Sequence, residues 1–546
     1  MKVLSASEMQ ACDRVTTERY GVASLELMRA ASAAVAAVAR ERFPQARRVT
    51  VLCWRGYNGG DGLLAARLLA DAGLEVTTLL LGEPGWLAGD AAVAWHELTD
   101  PPHGAIRVVM GADDLERYAD AFKADLLVDA VVGTGFAPPL KGLALAALEW
   151  VKRSETPVLA VDLPSGWPAD ATEAAVDGPV FPADAVVTFT APKPAHVFGQ
   201  LTRRWNEPVV VAPIGSPEEA IVSKLNLHWG GAARELTATP RAAAANKGNF
   251  GHVLVVGGSF GSAGGKAGAP SMTALAALRA GAGLVTAAVP AAAMGAVGAI
   301  APELMTWPLA ATAVGSIAAE NLAPERVAEL IAGKTVMAIG PGLGQSAETA
   351  EYVVGLLKAT TIPVVIDADA LNVLAREPEL LGRLAKGRTV VVTPHPGEMA
   401  RLAGMTVAAV QANRLETARG FAARYGVTVV LKGARTLVAH ADGRVAVNTT
   451  GNPGMAKGGS GDVLTGVVAA MMAQYPKDTA RAVEAAVDLH GLAGDLAATA
   501  GNEHSMLATD TLAEFSRAFR FHSRGENGYV WLQGALHAAD PHEAEQ

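Results

Sequence analysis

Cysteine is nearly missing from this chain of 546 residues, which holds only Cys12 and Cys53. That excludes a disulfide framework and fits a reducing compartment, so a cytoplasmic protein is expected. Aromatic residues are scarce at 5% and charged residues reach 18%, while half the chain is hydrophobic. Such a composition excludes wholesale disorder and supplies ample material for packed cores. A positive excess is lacking too: 45 Lys and Arg against 54 Asp and Glu leave a net charge of −9, which gives nucleic acid no footing. The first residues carry Lys2, Glu8, Asp13 and Arg14 and no apolar stretch of signal-peptide length, so no Sec export is expected. One uncharged run, 284–301, is long enough to span a bilayer. It is mostly Ala and Gly, with Pro290 near its start and hardly any Leu, Ile or Phe to drive insertion. A buried strand, a turn and a buried helix are expected there, and no membrane partner.

What is present is alternation. Short β-branched runs take turns with Ala/Leu-rich stretches of helical period, the pattern of parallel sheets covered by helices on both faces. One series has strand candidates at 49–53, 75–81, 126–132, 158–162, 185–190 and 209–212, and a second has them at 252–256, 284–289, 335–339, 364–367, 389–393, 427–431 and 444–448. The expected fold class is α/β: two three-layer α/β/α domains, 1–215 and 240–520. A linker without sustained periodicity, 216–239, joins them, and a polar tail, 521–546, is expected to fray.

In the first domain a strand ending at Cys53 runs into Trp54-Arg-Gly-Tyr-Asn-Gly-Gly-Asp-Gly62 and then a helix. Strand, glycine turn and helix N-terminus in that order aim backbone N–H groups at one spot, where the dipole favours a phosphate. A tight βα turn could also need positive φ at its glycines, but four glycines with Asn58 and Asp61 exceed what a turn requires. Asp129 and Asp162 end two further strands, before Gly133-Thr-Gly135 and Leu163-Pro-Ser-Gly166. The carboxyl ends of parallel strands form the ligand crevice of an open sheet. Asn58, Asp129 and Ser165 supply hard oxygen ligands for a cation such as K⁺ or Mg²⁺.

These segments resemble the NAD(P)H-hydrate epimerase domain, which has a Rossmann-like fold. The resemblance implies a K⁺-dependent interconversion of the two C6 epimers of hydrated NADH or NADPH. It places Tyr57, Asn58, Gly59, Gly60 and Asp61, with Gly133, Thr134, Gly135, Phe136, Ala137, Pro138 and Pro139, around the hydrate. Asp162 would act at the reacting ring, and Asn58, Asp129 and Ser165 would bind K⁺. The family's usual loop has Gly where this chain has Trp54 and Asn where it has Tyr57, so a reshaped loop is expected.

The second domain carries Thr450-Gly-Asn-Pro-Gly-Met-Ala-Lys-Gly-Gly-Ser-Gly-Asp462 before a helical run. Consecutive glycines at a helix start can hold a transferring phosphoryl, and a carboxylate there can take the proton of the attacking hydroxyl. A helix with an acidic first turn would account for Asp462 alone, not for Gly458, Gly459 and Gly461. Four motifs, 340–344, Asp367-Ala-Asp369-Ala-Leu-Asn372, Thr393-Pro-His395-Pro-Gly397-Glu398 and Lys432–Thr436, each follow a strand candidate. A lone His395 or Lys432 would be unremarkable; at strand ends facing an anion hole, both are displayed to a ligand.

Together these motifs, with Gly257-Gly-Ser-Phe-Gly-Ser and Gly268-Ala269, resemble the ribokinase superfamily and within it the NAD(P)H-hydrate dehydratase. The resemblance implies that ADP, with Mg²⁺, phosphorylates the hydrate and that loss of phosphate regenerates NADH or NADPH and leaves AMP. It places Ala269, Gly344, His395 and Asp462 against the hydrate, with Asp462 the base, and Lys432, Gly433, Ala434, Arg435, Thr436 and Gly461 against the nucleotide. The expected partners are thus small molecules, with a homo-oligomer left open. One rival is a small-molecule kinase acting on a vitamin-like alcohol, with a regulatory first domain. A second is a first domain that only binds a dinucleotide or a protein.

Overall fold

The computed structural model describes residues 1–261, 264–525 and 527–534. The chain folds into two compact units, one built from Met1–Leu227 with the segment from His522 onward, the other from His228–Phe521.

The first unit contains β1 (Arg48–Cys53), β2 (Glu75–Leu81), β3 (Ala105–Val109), β4 (Leu126–Ala130), β5 (Val158–Val161), β6 (Ala185–Phe189) and β7 (Val209–Ala212), parallel in the order β7-β6-β5-β4-β1-β2-β3. The period of two sorts each strand between two cores. Val49, Val51 and Cys53 pack with helices 24–42 and 57–71, whereas Leu52 packs on the opposite face with Phe122, Leu148 and Val151. The order reverses direction between β4 and β1, the switch point at which a doubly wound sheet takes its ligands.

In the second unit β8 (Leu227–Trp229), β9 (His252–Val256), β12 (Leu284–Pro290), β13 (Met305–Leu309), β14 (Val336–Ile339), β15 (Val364–Ile366), β16 (Val390–Val392), β17 (Thr428–Leu431), β18 (Leu437–Ala439) and β19 (Val445–Val447) form one sheet, while β10 (Phe260–Gly261) and β11 (Gly264–Gly265) form a small hairpin. The large sheet runs β13-β12-β9-β14-β15-β16-β17-β18-β19-β8, parallel from β13 to β17 and antiparallel from there to β19. Helix Ser460–Gln474 is buried along nearly its whole length, and it lies so close to helix Gly268–Arg279 that a Cβ on Gly466 would meet the Thr273 carbonyl oxygen at 2.1 Å.

The α/β class and the two sheets match the expectation; four details differ. β3, β13 and β18 were not foreseen, because Ala105-Ile-Arg-Val-Val, Met305-Thr-Trp-Pro-Leu and Leu437-Val-Ala are short and mixed, and neighbouring strands complete them. The expected linker is structured: β8 lies in it, and Arg234 is buried there, its Nε donating to Asp488 at 2.6 Å. In 284–301 the strand is buried, but the short helix Met294–Gly298 buries only Val297. No helix among the described residues is long and apolar enough to cross a membrane. The tail does not fray throughout, since β20 (Val530–Gln533) pairs antiparallel with β7 and sinks Trp531 into the core. Residues 535–546 lie outside the described residues.

Candidate functional site

Two clusters of charged and polar side chains form where loops leave the parallel strands. In the first unit Gly56, at φ +98°, turns the chain from β1 into helix Tyr57–Asp71. Gly59 and Gly62 let this helix start against the sheet, because a Cβ on either would collide with the Trp54 carbonyl oxygen at 1.6 Å or with Ala130 at 2.4 Å. Tyr57 is 71% exposed. Asn58 is turned inward, and both polar atoms of its side chain are buried with no hydrogen-bond partner. That is costly unless something else meets them.

Asp162 occupies the centre. It follows β5 in the left-handed region, φ +66°, a conformation that costs a non-glycine residue roughly 1–3 kcal/mol and persists where the surroundings enforce it. Its Oδ2 accepts from the Thr134 N–H at 2.7 Å and hydroxyl at 2.6 Å, and its Oδ1 from Lys193 Nζ and Thr188 Oγ1, both at 2.9 Å. Burial alone would raise this carboxyl, but Lys193, His196 and the Thr134 donor outweigh it and hold Asp162 well below the usual carboxylate range. His196 Nε2 donates to the Asp162 carbonyl oxygen at 2.7 Å. Two further acids sense the cluster. Burial, with Asp162 and Asp13 near, holds Asp61 well above the usual range, and burial pushes Asp13 up to about 6.

Asp129 is fully buried at the end of β4 and accepts from Ser165 twice, Oγ to Oδ1 at 2.6 Å and N to Oδ2 at 2.7 Å. Burial pushes its carboxyl up to about 6. Gly133 lies against both Asp162 and Asn58, because a Cβ there would meet Asp162 Oδ2 at 2.8 Å and Asn58 Oδ1 at 2.9 Å. Of the remaining loop, Phe136 is partly buried, and Gly135, Ala137, Pro138 and Pro139 are exposed. Lys193, Thr188 and His196 were absent from the sequence reading, and Asp13 was named there only for its charge, not as a site residue. Lys193 could have been noticed: like Asp129 and Asp162 it follows a strand end, and Pro194 fixes it before the next helix.

In the second unit, Gly459 at φ +98° precedes helix Ser460–Gln474, which carries Asp462 in its first turn. Asp367, at the end of β15, accepts from Lys432 Nζ at 2.8 Å and from Thr465 Oγ1 at 2.8 Å, and Glu398 Oε2 lies 3.9 Å from the same ammonium. A Cβ on Gly461 would sit 3.2 Å from Lys432 Nζ, so the helix start faces this lysine. Burial first, then Asp367, pushes Asp462 up to about 6. Gly340, at φ +133°, brings the loop after β14 onto the Asp367 backbone, and Asp369 Oδ2 accepts from the Gly344 N–H at 2.8 Å. Ala269 lies across from Gly342.

Two of the expected site residues also make local contacts of their own. His395 caps helix Pro396–Ala403, its Nδ1 accepting from the Gly397 N–H at 2.9 Å, and half its side chain is exposed. Arg435 turns inward at φ +55° and donates to the Thr449 carbonyl oxygen at 3.0 Å, so within 432–436 it is Gly433 and Ala434 that lie open. The sequence reading included Glu398 in the motif after β16 without giving it a role, and passed over Thr465.

Residues 24–195 match the family model described as YjeF-related protein N-terminus, and residues 253–517 match that of NAD(P)H-hydrate dehydratase. The bifunctional NAD(P)H-hydrate repair enzyme Nnr of Moorella thermoacetica is 40% identical over 528 residues, covering 94% of this chain and 95% of that one. That of Escherichia coli is 34% identical over 526 residues, covering 94% and 93%. Among solved structures, the ADP/ATP-dependent NAD(P)H-hydrate dehydratase from Bacillus subtilis, co-crystallized with ATP/Mg²⁺, is 30% identical and covers 53% of this chain and 96% of that one at a TM-score of 0.44.

Proposed function

Because the chain belongs to the bifunctional NAD(P)H-hydrate repair enzymes, an epimerase and a dehydratase in one polypeptide, we propose that the crevice around Asp162 interconverts the C6 epimers of hydrated NADH and NADPH, and that the crevice around Asp462 dehydrates the S epimer with ADP. Hydration yields both epimers while a chiral site takes one, so the first activity feeds the second.

In the second crevice the Asp462 carboxylate takes the proton of the C6 hydroxyl, whose oxygen attacks the terminal phosphoryl of ADP and releases AMP. Loss of phosphate from C6 and of a proton from C5 then remakes the C5=C6 double bond. The backbone N–H groups from Gly458 to Gly461 and the Lys432 ammonium face the phosphoryl group, while the open stretch Gly433–Ala434 lies where the nucleotide extends. For Mg²⁺, the carboxylates of Asp369 and Glu398 are the hard oxygen donors this ion takes. The observation that carries this reading is Asp462 itself, a half-buried carboxyl raised to about 6 at a glycine-framed helix start that faces Lys432.

For K⁺, the chemistry of the donors is what supports the reading: the buried, unpartnered Asn58 amide, and the Asp129 carboxylate with Ser165 Oγ bonded to it, are hard oxygens. Bound there, the ion would neutralise Asp129 and orient the hydrate's polar groups. Tyr57 stands exposed at the rim, while Asn58, Asp61 and the loop 133–139 line the crevice.

The test is the product. Incubated with ADP and hydrated NADPH, the protein regains nicotinamide absorbance and releases phosphate and AMP, and Asp462→Asn loses roughly 10²–10⁴ in that rate. A stable phosphorylated compound would instead identify a kinase.

A further inference from the structure

We propose that Lys193 is the proton donor of the epimerase crevice and that Asp162 is its fixed counter-ion. This rests on the reading that Asp162 marks the epimerase site. A carboxylate offers roughly four acceptor positions, and those of Asp162 are taken by Lys193, Thr188 and the two donors of Thr134. It has no lone pair left for a substrate proton unless one of these bonds breaks. Lys193 is placed differently. Its Nζ has three protons; one goes to Asp162 Oδ1 and one to Thr188 Oγ1 at 2.8 Å, and the third meets no partner among the described residues. The side chain is only 3% exposed, so an open ammonium donor here carries a desolvation cost that a ligand acceptor would offset. The backbone holds the lysine in place, because its N–H donates to His196 Nδ1 at 3.0 Å while His196 Nε2 reaches back to the Asp162 carbonyl oxygen.

Inverting C6 requires its C–O bond to break and re-form on the other face. Lys193 gives its third proton to the hydroxyl oxygen as the C6–O electron pair moves onto that oxygen and water departs. The N1 lone pair closes an N1=C6 bond. Water then adds to the opposite face, the N1=C6 pair returns to N1, and the surplus proton of the added water returns to Lys193.

Arginine distinguishes this role from a merely electrostatic one, since a guanidinium keeps the ion pair with Asp162 but does not give up a proton. Starting from one pure epimer, Lys193→Arg should unfold at the native temperature yet interconvert epimers at least 100-fold more slowly, roughly the worth of general acid catalysis. Lys193→Ala should show the same loss, and ethylamine should restore part of the rate with a dependence on the amine's acidity. Arginine turning over within threefold of native overturns the proposal, as does an alanine variant that ethylamine does not revive. Asp162→Asn, measured alongside, keeps the two readings apart. If it loses the activity while Lys193→Arg retains it, only the lysine's role falls; if neither change matters, the epimerase site lies elsewhere.

Discussion

Asp462 shows how a single side chain acquires its chemistry. An aspartate in water ionises near 4. Here burial and the neighbouring Asp367 raise it to about 6, against the pull of Lys432. A base works only when deprotonated, so the dehydratase rate should fall as pH drops through about 6, where an ordinary aspartate would hold its charge to about 4. Measuring kcat/KM with ADP between pH 4.5 and 8 checks this, and a limb near 4 would remove Asp462 from the role. Asp162 is the opposite case: buried more deeply, yet held low by Lys193 and three further hydrogen bonds. Both aspartates stood out in the sequence because each sits beside glycines at the edge of a strand or helix. Lys193 did not, since nothing in Thr190-Ala-Pro-Lys-Pro says which carboxylate it meets.

Among elements, the terminal strand β20 has the least conspicuous sequence and a clear structural duty. It covers the free edge of β7 and inserts Trp531, 5% exposed, among Ala31, Val187 and Val210. Trp531→Ala should cost about 3–5 kcal/mol. In a urea titration the first unit would then unfold at lower denaturant, and the dehydratase rate would be retained before that transition. An unchanged midpoint would show that β20 only rests on the sheet. Elements of the parallel sheets were legible because runs such as Val-Leu-Val-Val at 253–256 are apolar on both faces. β3, β13, β18 and β20 were not, because each is a short run that owes its extension to the neighbour it pairs with.

Across the whole molecule, the two proposed sites differ in their ions and their acids, so the two activities should separate in one preparation. Replacing K⁺ by tetramethylammonium, which cannot be coordinated by Asn58, Asp129 and Ser165, should slow epimer interconversion at least 10-fold and leave dehydration of the pure S epimer unchanged. Following both reactions chromatographically in the two salts checks this, and equal rates would sink the proposed cation site. The alternation of strand and helix, the glycine turns and the acids at strand ends were set by sequence alone, because periodicity and turn chemistry act over a few neighbouring residues. Which charges meet was decided by the tertiary structure. Lys193 reaches Asp162 across 31 residues and Lys432 reaches Asp367 across 65. Only the lateral order of the strands brings such ends together, and only burial there converts ordinary side chains into shifted acids and open donors.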